Sequence, residues 1–127
     1  MRVFLVRHAE AAPGEPDELR PLTDAGRAAA RALGERLAAH KPDAVLTSPH
    51  LRARETGDAI ARAAGLQPEP DDRLGFDATS ESLGAAVKGK GDTVVAVAHQ
   101  PNCSEIVLAL TGREVNFGPG DVQELHL

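Results

Sequence analysis

The sequence predicts an α/β fold, a three-layer sandwich with a mostly parallel central sheet and helices on both faces. Three observations carry this. Short, continuously apolar runs at Val3–Val6, Ala44–Thr47 and Thr93–Ala98 suit strands buried on both sides. Helical stretches with recognisable caps separate them. Strand-like and helix-like segments then alternate along the whole chain.

Taken in order, the first strand, "VFLV", leads into Arg7-His8 and a loop rich in Pro, Gly and Glu from Ala12 to Pro21. "LTDAGRAAARALGERLAAHKPD" reads as a helix with Thr23 as N-cap, closed by Pro42. Ala25, Ala29, Leu33 and Leu37 recur every four residues and form its expected buried face. Gly26, near its start, is read as a close-packing position. Ala44–Thr47 is the second strand. "SPHLRARETGDAIARAAG" follows as a helix with Ser48 as N-cap, Pro49 at the first helical position and Gly65 as C-cap. Gln67–Asp72 holds a short strand weakened by two prolines. Thr79 or Ser80 caps a helix running to about Val87. After the strand Thr93–Ala98, Pro101 opens a helix through Leu110, closed by Gly112. Val122–Leu127 alternates apolar and polar, as an outer strand does. No repeat, linker or low-complexity tract interrupts the pattern, so a single domain over residues 1–127 is expected.

Composition narrows the function. The chain has 19 acidic side chains against 14 Lys plus Arg, a net charge of −5, which offers no broad basic face for nucleic acid. Three Phe with no Trp or Tyr argue against base stacking as a mode of recognition. Cys103 is the single cysteine, so neither an internal disulfide nor a thiolate metal cluster is expected. The N-terminal apolar run is four residues, too short for a signal peptide, and no stretch approaches a membrane span. A reducing cytoplasm, no membrane partner, and a monomer or weak dimer are the expectations.

In an open α/β sheet, ligands bind beyond the carboxyl ends of the strands. The first strand ends in Arg7-His8. The second ends in Ser48-Pro49, with Arg52 one turn into the next helix. The clearest strand ends in His99-Gln100-Pro101. Two Arg and two His thus converge on one rim from distant parts of the sequence. Guanidinium groups grip phosphate oxygens through paired hydrogen bonds, and helix N-termini at Pro49 and Pro101 add N–H groups and positive partial charge. A histidine beside two guanidiniums has a lowered pKa, and a neutral imidazole keeps the lone pair needed to attack phosphorus. His40, His50 and His126 are read as structural or surface residues. Arg27, Arg31, Arg36, Arg54 and Arg62 are read as facing water.

"LVRHAE", "PLTDAGRAAA", "TSPHLRARET" and "VVAVAHQPN" together resemble the histidine phosphatase superfamily, the group that includes phosphoglycerate mutases, over nearly the whole chain. The resemblance implies a metal-independent phosphatase without cofactor, with His8 as the phosphorylated nucleophile and Arg7, Arg52 and His99 binding the phosphoryl group. Short length and the "RHAEA" variant, with Ala9 where Gly is usual, are most similar to the small SixA-type phosphohistidine phosphatases. Larger members carry a carboxylic acid after the second helix; here Asp77 and Glu81 are the candidates, neither in a convincing match. A weak general acid is tolerable when the leaving group is imidazole and a handicap when it is an alkoxide. The span between Arg52 and His99 also leaves little chain for a lid.

The expected substrate is therefore phosphohistidine on a signalling or phosphotransfer protein. A small phosphate ester is the alternative. A non-enzymatic phosphate sensor or metal-binding module, with His8, Glu10 and His99 as ligands, is the third reading. Arg7 and Arg52 oppose the metal, and no zinc-like spacing supports it. A nucleotide-binding module is disfavoured by the lack of a Gly-rich loop after the first strand.

Overall fold

The computed structural model describes all 127 residues. Five strands, β1 (Arg2–Arg7), β2 (Ala44–Thr47), β3 (Pro68–Pro70), β4 (Thr93–Ala98) and β5 (Val122–His126), form one sheet in the order β3-β2-β4-β1-β5. All neighbours are parallel except β5, which runs antiparallel to β1. The helices are α1 (Asp24–Ala38), α2 (Leu51–Ala64), α3 (Ser80–Val87) and α4 (Asn102–Thr111). No helix is long and apolar enough to cross a membrane.

Strand alternation divides the core between two faces. Val3, Leu5, Leu46, Val94 and Ala96 pack with Leu83, Val87, Ile106 and Val107 of α3 and α4. Phe4, Val6, Val45, Val95 and Val97 pack with Leu33, Leu37, Ile60 and Ala61 of α1 and α2. This is the expected three-layer arrangement, and the continuous apolar runs are its direct cause. Cys103 is buried with the α3–α4 layer, and burial pushes its thiol up to about 12.

Several ends fall where expected. Thr23 caps α1 by accepting from Gly26 N at 2.9 Å, Thr79 caps α3 in a reciprocal pair with Ser82, and Gly65 and Gly112 end α2 and α4 with positive φ. Three expectations need correction. The buried face of α1 is Gly26, Ala30, Leu33, Gly34 and Leu37, whereas Ala25 and Ala29 are exposed. Alanine marks a helix face poorly, and here glycine carries the contact: a Cβ at Gly26 would overlap the Glu10 carbonyl oxygen, and one at Gly34 would crowd the α2 backbone at Ala59. Helix α2 begins at Leu51 with His50 as N-cap, two residues later than the Ser48 cap implied. β3 keeps only Pro68–Pro70, a proline-bearing edge strand.

Candidate active site

Register builds the site. Parallel pairing sets Arg7 opposite Ala98, and His8 extends the ladder by donating its N–H to the Ala98 carbonyl at 3.1 Å. His8 and His99 therefore leave adjacent strands side by side, with ring centroids 5.3 Å apart. On the other flank, Ser48 donates its N–H to the Val97 carbonyl, which brings its Oγ within 2.8 Å of His99 Nε2. The same hydroxyl accepts from His50 N at 3.3 Å. Ser48 thus serves the corner beside His99 rather than the end of α2, which explains the late helix start. The α2 N-cap His50 makes no side-chain cap bond, whereas in the first turn of α4 the Ser104 N–H donates to Gln100 Oε1 at 2.9 Å, so only α2 presents a first turn without a side-chain cap at this rim.

Arg52 is 4% exposed and lies at the start of α2. Its Nη1 donates to the Asp17 carbonyl at 2.9 Å and its Nη2 to Asp17 Oδ2 at 3.2 Å. Arg20 donates to Asp17 Oδ1 at 3.0 Å, and its Nε to the Ala12 carbonyl at 2.8 Å. The Asp17 carboxyl is held below the usual range, by the Arg20 hydrogen bond first and Arg52 next. Arg7 donates from Nη1 to the Phe117 carbonyl at 3.0 Å, while its buried Nε has no partner. Thr56, one turn after Arg52, accepts from Ala9 N at 3.0 Å and donates to the Arg52 carbonyl at 2.8 Å. The Ala9 methyl packs with Leu22 and Ala30, so the residue that replaces the usual glycine is accommodated.

The imidazoles are electrostatically distinct from free histidine. His8 Nδ1 lies 2.8 Å from the Ala9 carbonyl, which can only accept. The proton is therefore on Nδ1, and the lone pair on Nε2. Burial is the main force that lowers the His8 pKa from 6.5 to about 4; the Ala9 hydrogen bond opposes it, and Arg52, Arg7 and Arg20 lower it further. The sequence argument rested on the arginines alone, and desolvation is the larger cause. His99 falls to about 3, through burial and then the neighbouring charges of His8 and Arg52. Both rings are neutral at pH 7. A neutral imidazole with a free Nε2 beside fixed guanidiniums can attack an electrophilic phosphorus whose oxygens the guanidiniums neutralise.

The structure thus brings Arg7, His8, Arg52 and His99 to one rim. Of the two candidate acids, neither Asp77 nor Glu81 hydrogen-bonds to any of these four side chains. Asp77 is exposed and makes no side-chain hydrogen bond. Glu81 is held ionised by its own backbone N–H first, then by Ser80 and Thr79, at the start of α3. No group of three His, Cys, Asp or Glu is spaced to hold a metal ion.

Sequence reasoning missed Asp17 and Arg20, which come from a segment with only a single short 3-10 turn and no periodicity, and it offered Thr56 only as a surface partner of Arg52, whereas Thr56 is buried and bonds the Arg52 carbonyl. His50, read as structural or surface, lies beside the site. That ring packs 4.9 Å from His99 and 4.3 Å from Phe76, and burial, then Arg52, lowers its pKa. His126 pairs with Glu124 on the surface and His40 packs on Phe4, as surface and structural residues do. Arg27, Arg31, Arg36, Arg54 and Arg62 are all exposed. A concavity of about 790 Å³ lies apart from the site, between α1 and α2. Its Arg27, Arg31, Arg54 and Arg62 face Glu35, Glu55 and Asp58, and no nucleophile lines it.

A phosphoglycerate mutase-like α/β sheet with an arginine-flanked histidine pair at its strand ends, His99 buried and His8 half-buried, defines the framework of a phosphatase. The model of the histidine phosphatase superfamily (branch 1) matches residues 3–75. A phosphohistidine phosphatase SixA homolog of Haemophilus influenzae is 29% identical, over 98% of this chain and 87% of the relative. The structure of the protein histidine phosphatase SixA complexed with tungstate superposes with a TM-score of 0.87 at 28% identity, covering 100% of this chain and 88% of that one. The putative phosphohistidine phosphatase SixA from Agrobacterium tumefaciens gives 0.80 at 30% identity, over 97% and 88%. The chain belongs to the histidine phosphatase superfamily.

Proposed function

We propose that the 127 residues form one domain that hydrolyses phosphohistidine on a protein, in the cytoplasm, through a phosphoenzyme on His8. The observation that carries this reading is the His8 tautomer. Its Nδ1–H is fixed on the Ala9 carbonyl, so Nε2 is unprotonated and free. In the first step Nε2 attacks phosphorus, the new P–N bond forms, and the substrate's P–N bond breaks. The released imidazole takes its proton from water at the open rim. In the second step water attacks the phosphorylated His8, and inorganic phosphate leaves as the Nε2 lone pair is restored. Arg7, Arg52 and His99 hold the phosphoryl oxygens and offset the charge that spreads over them.

The substrate class is supported by the proton inventory. Neither Asp77 nor Glu81 is hydrogen-bonded to the histidine pair, and Glu81 is held in the wrong protonation state for an acid. An imidazole leaving group tolerates that far better than an alkoxide. The similarity to SixA proteins points the same way. The test is to incubate the chain with a phosphohistidine-bearing phosphotransfer domain and, separately, with a panel of small phosphate esters. Phosphate release from the protein is expected; release only from the esters would overturn the protein substrate and favour a phosphomonoesterase.

A further inference from the structure

Phe76 is the one aromatic residue that this fold leaves in water. Of the three phenylalanines, Phe4 and Phe117 are buried, whereas Phe76 is 51% exposed. It sits on the loop between Leu74 and α3, and that loop is fixed. The buried Asn102, at the start of α4, donates from Nδ2 to the Phe76 carbonyl at 2.8 Å and to the Ala78 carbonyl at 3.1 Å. Asn102 lies three residues beyond His99, so the loop is tied to the corner that carries the second site histidine.

The ring position is equally specific. Its centroid is 4.6 Å from the His99 ring and 4.3 Å from the His50 ring, and the Arg52 guanidinium carbon lies 5.5 Å from it. His99 packs against both His8 and Phe76, so the attacking ring and the exposed one share a neighbour. In an in-line displacement the leaving group departs on the side of phosphorus away from His8. Leaving an aromatic ring half in water forfeits burial, and an apolar residue tucked into the core would avoid that loss. Aromatic pairs at centroid distances of about 4.5–7 Å attract one another beyond area burial, so a flat ring entering the site gains from Phe76 what an alkyl group does not.

We infer that Phe76, backed by His50, is a leaving-group subsite that receives the flat imidazole of the phosphorylated substrate by ring stacking. The inference rests on the phosphohistidine reading for its natural ligand, and not for its chemistry, since any flat aromatic leaving group should use it. Three probes separate the two: free phosphohistidine, phenyl phosphate and glycerol phosphate. In Phe76→Leu, KM for phosphohistidine and for phenyl phosphate should each rise about tenfold more than KM for glycerol phosphate. Phe76→Tyr, which keeps the ring, should restore both. Equal changes on all three probes, or none, would overturn the subsite. If the parent chain releases no phosphate from phosphohistidine, the substrate reading fails. The ratio of phenyl to glycerol phosphate then still decides the subsite.

Discussion

The backbone N–H of Ala9 donates to Thr56 Oγ1 at 3.0 Å, across 47 residues of sequence. That bond joins the strand end carrying His8 to the first turns of the helix carrying Arg52, because the same hydroxyl donates to the Arg52 carbonyl. Thr56→Val keeps the shape and removes both bonds, leaving a buried donor unpaired. Stability should fall by about 1–3 kcal/mol in urea unfolding. Activity should fall with it, because His8 and Arg52 lose their common brace. Thr56→Ser should retain both. A valine variant of unchanged stability would show that the bond contributes nothing.

Titration gives the second prediction. The folded His8 pKa is lowered from 6.5 to about 4, chiefly by burial, so folding excludes a proton that the unfolded chain accepts between those values. His99 extends the window to about 3. The stability contribution is fully present above pH 6.5 and is lost as pH falls from there through the folded values. The His8 ring signal in an NMR titration should move with a midpoint at about 4. A midpoint at 6.5 would mean that the ring is solvated and unperturbed.

Gly26 tests the packing of α1. Helix propensity favours Ala over Gly by about 1 kcal/mol. A Cβ at this position would nonetheless overlap the Glu10 carbonyl, a backbone atom that no rotamer change can move. Gly26→Ala should therefore destabilise the chain, by about 1–3 kcal/mol. The same change at Gly84, where a Cβ meets nothing within 4 Å, should be neutral or stabilising. Thermal unfolding of the two variants checks the contrast.

Much of the fold was legible because its central strands are buried on both sides and so read as unbroken apolar runs. The placement of Arg7, His8, Arg52 and His99 followed from the rule that parallel strands end on one rim. What was not legible depends on contacts between loops. Asp17 and Arg20 meet Arg52 from a segment with no period. His50 and Phe76, 26 residues apart, meet through a tertiary tie made by Asn102. Ser48 looked like a cap because its chemistry suits one, and a tertiary partner, His99, took the hydroxyl instead. The α1 face was misread because alanine is neutral to burial and glycine marked the true contact.

Arg52 is expected to be irreplaceable by charge alone. Its fork donates to two oxygens of Asp17 from two nitrogens, a geometry that lysine lacks. In Arg52→Lys, kcat/KM should fall about hundredfold with the fold retained by circular dichroism. Activity within about threefold of the parent would show that position 52 supplies only a diffuse positive field.

The central claim is that His8 Nε2 takes the phosphoryl group. The direct measurement is to quench the reaction with a labelled phosphoryl donor in alkali, where phosphohistidine survives, and to locate the label by mass spectrometry. The label should sit on Nε2 of His8, disappear in His8→Ala and persist in His126→Ala. A labelled His8→Ala protein, or label on His50 or His99, would contradict the account.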